Sequence, residues 1–143
     1  MYSSSSRGGE IRNMIQGIES ILIGSSDPGA LAEFYAKVVG LKQTMEFEMG
    51  EKNEKGFAFE MKGCSLYIMH HSEVEGKNTS SARIMFNLET ENIEAEVKKL
   101  DSGGARKIKD TYHMENYGFI ATYADPDDNY FQIVQVRAPE MVN

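Results

Sequence analysis

The 143-residue sequence predicts an α+β domain made of two successive units, each with the order strand, helix and three strands (βαβββ). Three observations lead to this prediction. The same element order occurs twice, each unit has one amphipathic helix, and the strands that open or close the units alternate apolar with mixed side chains. Aligning Ser20 with Arg83 relates the two units by an offset of 63 residues. Because identity between them is weak, the repeat depends on element order and spacing.

The first unit opens with an apolar, β-branched strand at residues 19–24. Asp27 and Pro28 then supply an N-cap and a proline in the first helical turn. The helix that follows ends at Gly40 and carries one apolar stripe, made of Leu31, Phe34, Tyr35 and Val38. The turns GEKNEKG and Lys62-Gly63 separate three further strands, predicted at residues 44–49, 56–61 and 65–71.

The second unit repeats this order from Ala82. Its first strand covers residues 82–89, and Thr90 is the predicted helix cap. The helix has Ile93, Val97 and Leu100 at helical spacing and stops at Gly103-Gly104. The closing strands are predicted at residues 105–109, 118–123 and 130–137.

Composition and length indicate one domain, predicted at residues 17–137, with its repeats at about 17–72 and 82–137. Residues 1–16 are polar and Ser/Gly-rich, so we expect a flexible N-terminal tail without a secretory signal, and residues 138–143 form a C-terminal tail. No apolar run approaches the ~20 residues that span a bilayer. The single cysteine, Cys64, cannot form an internal disulfide, which favours a reducing cytoplasm and a buried, unreactive thiol.

The net charge of −7, with lysines and arginines scattered along the chain, argues against nucleic acid and anionic membranes as partners. Both would require a basic surface. A neutral or cationic small molecule is compatible with this charge.

The two faces of the predicted strands differ in chemistry. One face is apolar and must be covered by the helices: Ile21, Ile23, Leu66, Ile68, Ile84, Phe86, Leu88, Phe131 and Ile133. The other face is mixed: Ser20, Leu22, Gly24, Ser65, Tyr67, Met69, Arg83, Met85, Asn87, Tyr130, Gln132 and Val134. If the sheet curves, the mixed face forms a cavity with apolar walls and a few polar anchors, the usual composition of a small-molecule site.

Two stretches carry a family resemblance. ESILIGSSDPGALAEFYAKVVGL resembles the opening of the vicinal oxygen chelate superfamily, which includes glyoxalases, bleomycin-resistance proteins and extradiol dioxygenases. DPDDNYFQIVQ is similar to its DPDGN-x-x-E-L-x-Q ending. The resemblance covers residues 17–137 and implies a curved mixed sheet around a U-shaped cleft, commonly in a homodimer. Asp128 stands where the family usually has glycine, and aspartate tolerates the left-handed conformation better than most residues.

The resemblance also implies four cleft positions that usually hold a metal. Carried over one at a time, they fall on Ser20, Tyr67, Arg83 and Gln132. None is a convincing ligand, because divalent metals prefer imidazole or carboxylate groups and a guanidinium cation repels them. We therefore predict neither a metal nor another cofactor.

The same face supplies the candidate ligand-binding residues. Arg83 could bind an anion or extend into solvent, and Tyr67 could stack on a planar ligand or only pack within the cleft. The remaining candidates are Ser20, Met69, Met85 and Gln132 on strands, with Tyr112, His113 and Tyr117 in a predicted lid over residues 112–117. His113 and the predicted rim residue His71 could equally be exposed histidines without a ligand, and Glu60 is expected to be solvated.

Three functions remain open from the sequence. The chain could be a metal-free protein that binds an aromatic or amphipathic small molecule, as the resemblance to bleomycin-resistance proteins implies. It could be a superfamily enzyme (a lyase, isomerase or dioxygenase) with a displaced metal or none. It could also be a degenerate dimeric interaction module without a ligand. The loss of the four ligands favours the first over the second, and the polar residues of the mixed face favour the first over the third.

Overall fold

The structure, a computed structural model, describes residues 14–136. Residues 1–13 and 137–143 lie outside the described residues. They include most of the predicted N-terminal tail, the end of the predicted last strand at Arg137 and the whole predicted C-terminal tail. Within the described part, no helix is long and apolar enough to cross a membrane.

The first unit contains β1, an α-helix that continues as a π-helical segment, and three strands. Their bounds are β1 Ser20–Ser25, α1 Pro28–Glu33, the π-helical segment Phe34–Val39, β2 Gln43–Met49, β3 Glu54–Glu60 and β4 Ser65–His70. The second unit repeats the order with β5 Phe86–Glu89, α2 Ile93–Ser102, β6 Arg106–Met114, β7 Gly118–Ala124 and β8 Tyr130–Gln135.

The described strands form two four-stranded mixed sheets with the same topology. Sheet A has the order β1-β4-β3-β2, and sheet B has the order β5-β8-β7-β6. In each sheet the opening strand pairs in parallel with the closing strand, and the other pairs are antiparallel. The predicted α+β fold of two βαβββ units is confirmed.

Local capping explains where the first helix begins and ends. The Asp27 carboxylate accepts a hydrogen bond from the Ala30 amide at 3.2 Å, and Pro28 occupies the first turn, as predicted. The predicted helix is present and ends at Gly40 as expected, but its second half is π-helical. The amides of Gly40 and Leu41 both donate to the Tyr35 carbonyl, and Gly40 adopts a φ of 90° that favours glycine.

The second helix begins later than predicted. Its N-cap is Asn92, whose side-chain oxygen accepts from the Ala95 amide at 3.1 Å. Thr90, the predicted cap, instead accepts from the Asn92 amide and holds the cap in place. Both residue types form such local bonds, so composition alone does not decide between them.

The hydrophobic core lies on the apolar strand face and joins both units. Phe131 on β8 is fully buried, and its ring lies 6.1 Å from Phe34, 5.7 Å from Tyr35, 6.4 Å from Phe86 and 6.2 Å from Tyr123. Two of these rings belong to the first unit and two to the second. The first helical region therefore packs against the second sheet as well as its own.

The offset between the repeats is 65 residues, which corrects the predicted offset of 63. The helix N-caps Asp27 and Asn92 are 65 residues apart, and with this offset the pair Leu22 and Tyr67 of sheet A corresponds to the pair Asn87 and Gln132 of sheet B. The strand predicted from Ala82 starts only at Phe86. Residues 81–85 form turns instead, so Ile84, predicted to be buried, has 81% of its surface exposed.

The turn before β8 is held by a buried carboxylate. Asp125 accepts hydrogen bonds from the Tyr35 hydroxyl at 2.7 Å, from the amides of Asp127 and Asn129 at 2.9 Å, and from the Asn129 side chain. Burial raises the pKa of Asp125, against the opposing effect of these bonds, and burial together with the Asp125 charge raises the pKa of Tyr35. The turn thereby attaches β8 to the first helical region.

A charged network at the end of α2 is expected to make stability depend on pH. The Lys107 ammonium lies 3.0 Å from Asp101 and 3.1 Å from Asp110, and the Tyr123 hydroxyl donates to Asp101 at 2.8 Å. Hydrogen bonds from Lys107 and Tyr123 lower the pKa of Asp101 from its ordinary 3.8. Its contribution to stability is therefore present above pH 3.8 and lost as pH falls through the lowered pKa.

We expect Asp101→Asn to be less stable than the wild type at pH 7, with the difference shrinking below pH 4. Urea unfolding of both proteins at pH 7 and pH 3 measures it. Asp110→Asn is the comparison variant: the Thr111 amide and Lys107 lower the pKa of Asp110 as well, but its carboxylate is more exposed and receives no bond from Tyr123, so we expect a smaller difference at pH 7. If Asp101→Asn lowers the stability by the same amount at pH 7 and pH 3, the contribution assigned to the ionised Asp101 carboxylate is contradicted.

Candidate functional site

The strand face of sheet A that points away from the helices is apolar and aromatic. Tyr67 lies in a cross-strand row between Leu22 and Ala58, and the T-shaped contact between Tyr67 and Phe47 has a centroid distance of 6.3 Å. The position of the Phe47 ring in this contact requires glycine at residue 56, because a Cβ at Gly56 would overlap the ring. We call this surface the apolar face, defined by Leu22, Met45, Phe47, Met49, Tyr67 and Met69. Leu22 is 53% exposed and Met45 57% exposed, so no part of the described chain covers them.

The corresponding face of sheet B is mixed: a row of polar side chains lies next to the buried pair Ile120 and Val134. Asn87, Gln132 and Thr122 are consecutive cross-strand partners, and we call them the amide row. The Gln132 amide nitrogen donates to the Thr122 hydroxyl at 3.0 Å. The Asn87 amide nitrogen donates to the Tyr117 hydroxyl at 3.3 Å. These bonds fix the orientation of two carboxamides on neighbouring strands.

The predicted position of Arg83 in the cleft is wrong. Arg83 lies in the turn before β5, is exposed, and donates its amide to the Ser80 carbonyl at 2.9 Å. The 65-residue offset places Met85, not Arg83, in the position equivalent to Ser20. Met85 is 38% exposed. Arg83 is therefore not part of the strand that was predicted to carry it, because β5 begins at Phe86.

The predicted lid over residues 112–117 is wrong as well. Tyr112 and His113 belong to β6, which runs to Met114, and only residues 115–117 form a turn. His113 pairs with Phe119, its ring lies 5.0 Å from the Phe119 ring, and Phe119 packs against the core. His113 is thus on the helix-covered side. Tyr112 lies on the opposite side, 4.4 Å from the Lys109 ammonium.

The four positions equivalent to the superfamily's metal ligands do not fit a divalent metal. With the corrected offset they hold Ser20, Tyr67, Met85 and Gln132, a hydroxyl, a phenol, a thioether and an amide. None is a carboxylate, thiolate or imidazole, the groups that bind divalent metals well enough to offset the cost of dehydrating the ion. Among residues 14–136 there is also no group of three or more His, Cys, Asp or Glu side chains placed to hold a metal.

The other residues considered from the sequence lie at the edges of this surface. The His71 ring nitrogen accepts from the Glu73 amide in the loop after β4, and Glu60 is exposed, as expected. The sequence suggested a buried thiol at Cys64, but Cys64 is only half-buried. His70 lies 3.1 Å from Glu54 beside a concavity of about 200 Å³.

Sequence reasoning overlooked several residues of these two faces. Thr122 was not singled out, although it is cross-strand partner to Gln132. The alternation of Met45, Phe47 and Met49 with polar residues in β2 was a visible signal, because alternate residues of a strand share one face. Asn87 was placed on the mixed face but not among the candidate ligand contacts.

Comparison with known proteins agrees with this architecture. The model of the glyoxalase-like domain family matches residues 20–134. Curated protein sequences gave no match. A glyoxalase family protein from Bacillus anthracis has a similar solved structure, with a TM-score of 0.67 and 18% identity over 89% of this chain and 100% of that one.

Two similar structures come from Streptomyces sp. CB03234. One is TnmS3, described as an antibiotic binding protein, with a TM-score of 0.66 and 17% identity over 87% of this chain and 99% of TnmS3. The other is a glyoxalase/bleomycin resistance protein, with a TM-score of 0.65 and 17% identity over 83% of this chain and 100% of its own. At these identities the likeness shows the fold alone. Because the family model covers most of the sequence, the chain belongs to the glyoxalase-like domain family.

Proposed function

We propose that this protein binds an aromatic or amphipathic small molecule on the apolar face and the amide row, without a divalent metal, as a cytoplasmic homodimer. The observation that carries the proposal is the apolar face itself. Six large apolar or aromatic side chains share one strand face, and Leu22, Met45 and Met49 are about half exposed. Contiguous exposed apolar surface on a soluble domain usually marks a binding site.

The chemistry of the face suits a planar ligand. The T-shaped contact between Tyr67 and Phe47 leaves ring surface available for stacking, and methionine side chains adapt to irregular ligand shapes. The description of TnmS3 as an antibiotic binding protein supports the same class of function, because it has this fold. The side chains of Ser20, Met85 and Gln132 are poor ligands for divalent metals, which supports binding without a metal.

Binding can be tested with 1-aminoanthracene, a neutral, planar, fluorescent probe. The protein has no tryptophan, so protein emission interferes little with the titration. We expect saturable binding that Tyr67→Ala weakens about tenfold, close to the contribution of one aromatic contact. His113→Ala is the control, since the His113 ring lies on the helix-covered side and should not contact the probe. Equal binding by the wild type and Tyr67→Ala would exclude the apolar face.

The metal-free part of the proposal has a separate test. Elemental analysis of dialysed protein should find far less than one equivalent of transition metal per chain, and a chelator should leave probe binding unchanged. About one equivalent per chain, lost in Gln132→Met, would instead support the superfamily-enzyme alternative.

The homodimer is proposed because a second copy could cover apolar side chains that the described chain leaves exposed. They include Met114 at the end of β6, 44% exposed, and Met85 before β5 at the opposite edge of sheet B, 38% exposed. Light scattering should therefore give the mass of two chains at micromolar concentration. A monomer at that concentration would remove the dimer from the proposal without affecting the probe experiment.

A further inference from the structure

The amide row provides directional hydrogen-bonding groups that the apolar face of sheet A lacks. Asn87, Gln132 and Thr122 lie on three adjacent strands at one level of sheet B. Neighbouring strands are about 4.8 Å apart, so these polar groups are spaced like substituents along the edge of a ring system. The equivalent level of sheet A holds Leu22, Tyr67 and Ala58, which offer no carboxamide.

Each carboxamide keeps part of its hydrogen-bonding capacity. An amide has two N–H donors and one carbonyl acceptor. Gln132 uses one N–H on Thr122, and Asn87 uses one N–H on Tyr117. Among residues 14–136, one N–H and the carbonyl of each side chain therefore have no partner and remain for a ligand. A carboxamide with one free N–H and a free carbonyl can bind a ligand edge on which an acceptor and a donor are adjacent. Asparagine and glutamine bind the edge of adenine in this way.

The side chains of the row itself carry no charge. Arg83 lies in the turn before β5 and not on the strand. Lys109, the partner of Thr122 on the outer strand, has its ammonium over the Tyr112 ring. The centre of the row is thus neutral, which contrasts with the anion site that the sequence suggested at Arg83.

We propose that the amide row determines ligand specificity by selecting an uncharged planar ring system whose edge carries adjacent hydrogen-bond donor and acceptor groups, such as a lactam or an imide. This inference rests on the proposed small-molecule binding function. The apolar face supplies affinity that is insensitive to substitution at the ring edge. Gln132 and Asn87 supply the discrimination, because a ligand without the matching groups leaves their polar atoms unpaired.

A matched pair of probes tests the inference. 2-Quinolinone carries adjacent N–H and C=O groups, and N-methyl-2-quinolinone lacks the donor at nearly the same shape. NMR titration of the full-length protein should show 2-quinolinone binding at least about tenfold more tightly, the effect expected for leaving a polar partner unpaired. Gln132→Met should reduce this ratio to about one, because methionine has a similar length and no amide.

Two further variants complete the experiment. Asn87→Leu provides an independent test at an exposed position, where the fold is expected to tolerate substitution, and it should also lower the ratio. Lys109→Met is the control and should leave the ratio unchanged. Loss of 2-quinolinone binding in Lys109→Met would show recognition by charge and overturn the inference.

The outcomes separate this inference from the proposed function. Equal binding of the two quinolinones, with 1-aminoanthracene still bound, would overturn the role of the amide row and leave the small-molecule site standing. If neither quinolinone nor 1-aminoanthracene binds, the proposed function fails and the inference fails with it. A ratio of about ten that persists in both Gln132→Met and Asn87→Leu would also overturn the role of the row.

Discussion

Phe131→Ala is expected to lower the free energy of unfolding by about 3–5 kcal/mol, the usual cost of removing a buried aromatic ring. The ring has no exposed surface and contacts Phe34, Tyr35, Phe86 and Tyr123. Its loss leaves a cavity where both units meet, and the surrounding rings cannot all move to fill it. Since domains of this kind are stable by about 5–15 kcal/mol, the variant should lose a large part of its stability.

Urea unfolding at equal chain concentration measures this effect, because a dimer's apparent stability depends on concentration. Phe47→Ala is the matched control, since the same ring is lost from the half-exposed apolar face. We expect it to cost clearly less than Phe131→Ala. If the two substitutions cost the same, Phe131 is not the centre of a shared core. Because Gln132 follows Phe131 on β8, the core also supports the strand that carries the amide row.

The features predictable from sequence were those set by local chemistry. Asp27 and Pro28 mark the first helix because a capping carboxylate and a fixed proline φ act within one turn. The apolar face of the strands was predictable for the same reason, because alternation places Leu66 and Ile68 on one side of β4, and both are fully buried. Asp128 adopts the left-handed conformation, with a φ of 65°, that its place in the DPDDN turn suggested.

The errors in the candidate site came from features that depend on pairing between distant strands. The 63-residue offset put Arg83 on a strand, whereas β5 starts where it can pair with β8, at Phe86 opposite Phe131. Similarly, β6 continues through Tyr112 because β7 returns beside it as far as Gly118. Strand register is fixed by such partners, and a shift of two residues preserves alternation while changing which residue enters the site.

The turn that precedes β8 gives the second large expected effect. Asp125→Ala is expected to lower the free energy of unfolding by about 3 kcal/mol or more, because hydrogen bonds to a charged group contribute about 1.5–3 kcal/mol each and an unpaired buried hydroxyl adds about 1–3 kcal/mol. The hydroxyl left without its acceptor is that of Tyr35, which is fully buried. The amides of Asp127 and Asn129 lose their acceptor as well.

A double-mutant cycle with Tyr35→Phe isolates the buried contact. We expect the two substitutions together to cost less than the sum of the single ones, by about 1.5–3 kcal/mol, because each removes the same 2.7 Å hydrogen bond. Asp128→Gly is the control from the same turn. Glycine relieves the positive φ of Asp128, and only a largely exposed ion pair with Arg106 is lost, so stability should change by less than about 1 kcal/mol. Additive costs for Asp125→Ala and Tyr35→Phe would mean that the turn is not held through Tyr35, and that β8 and its amide row are positioned by the core alone.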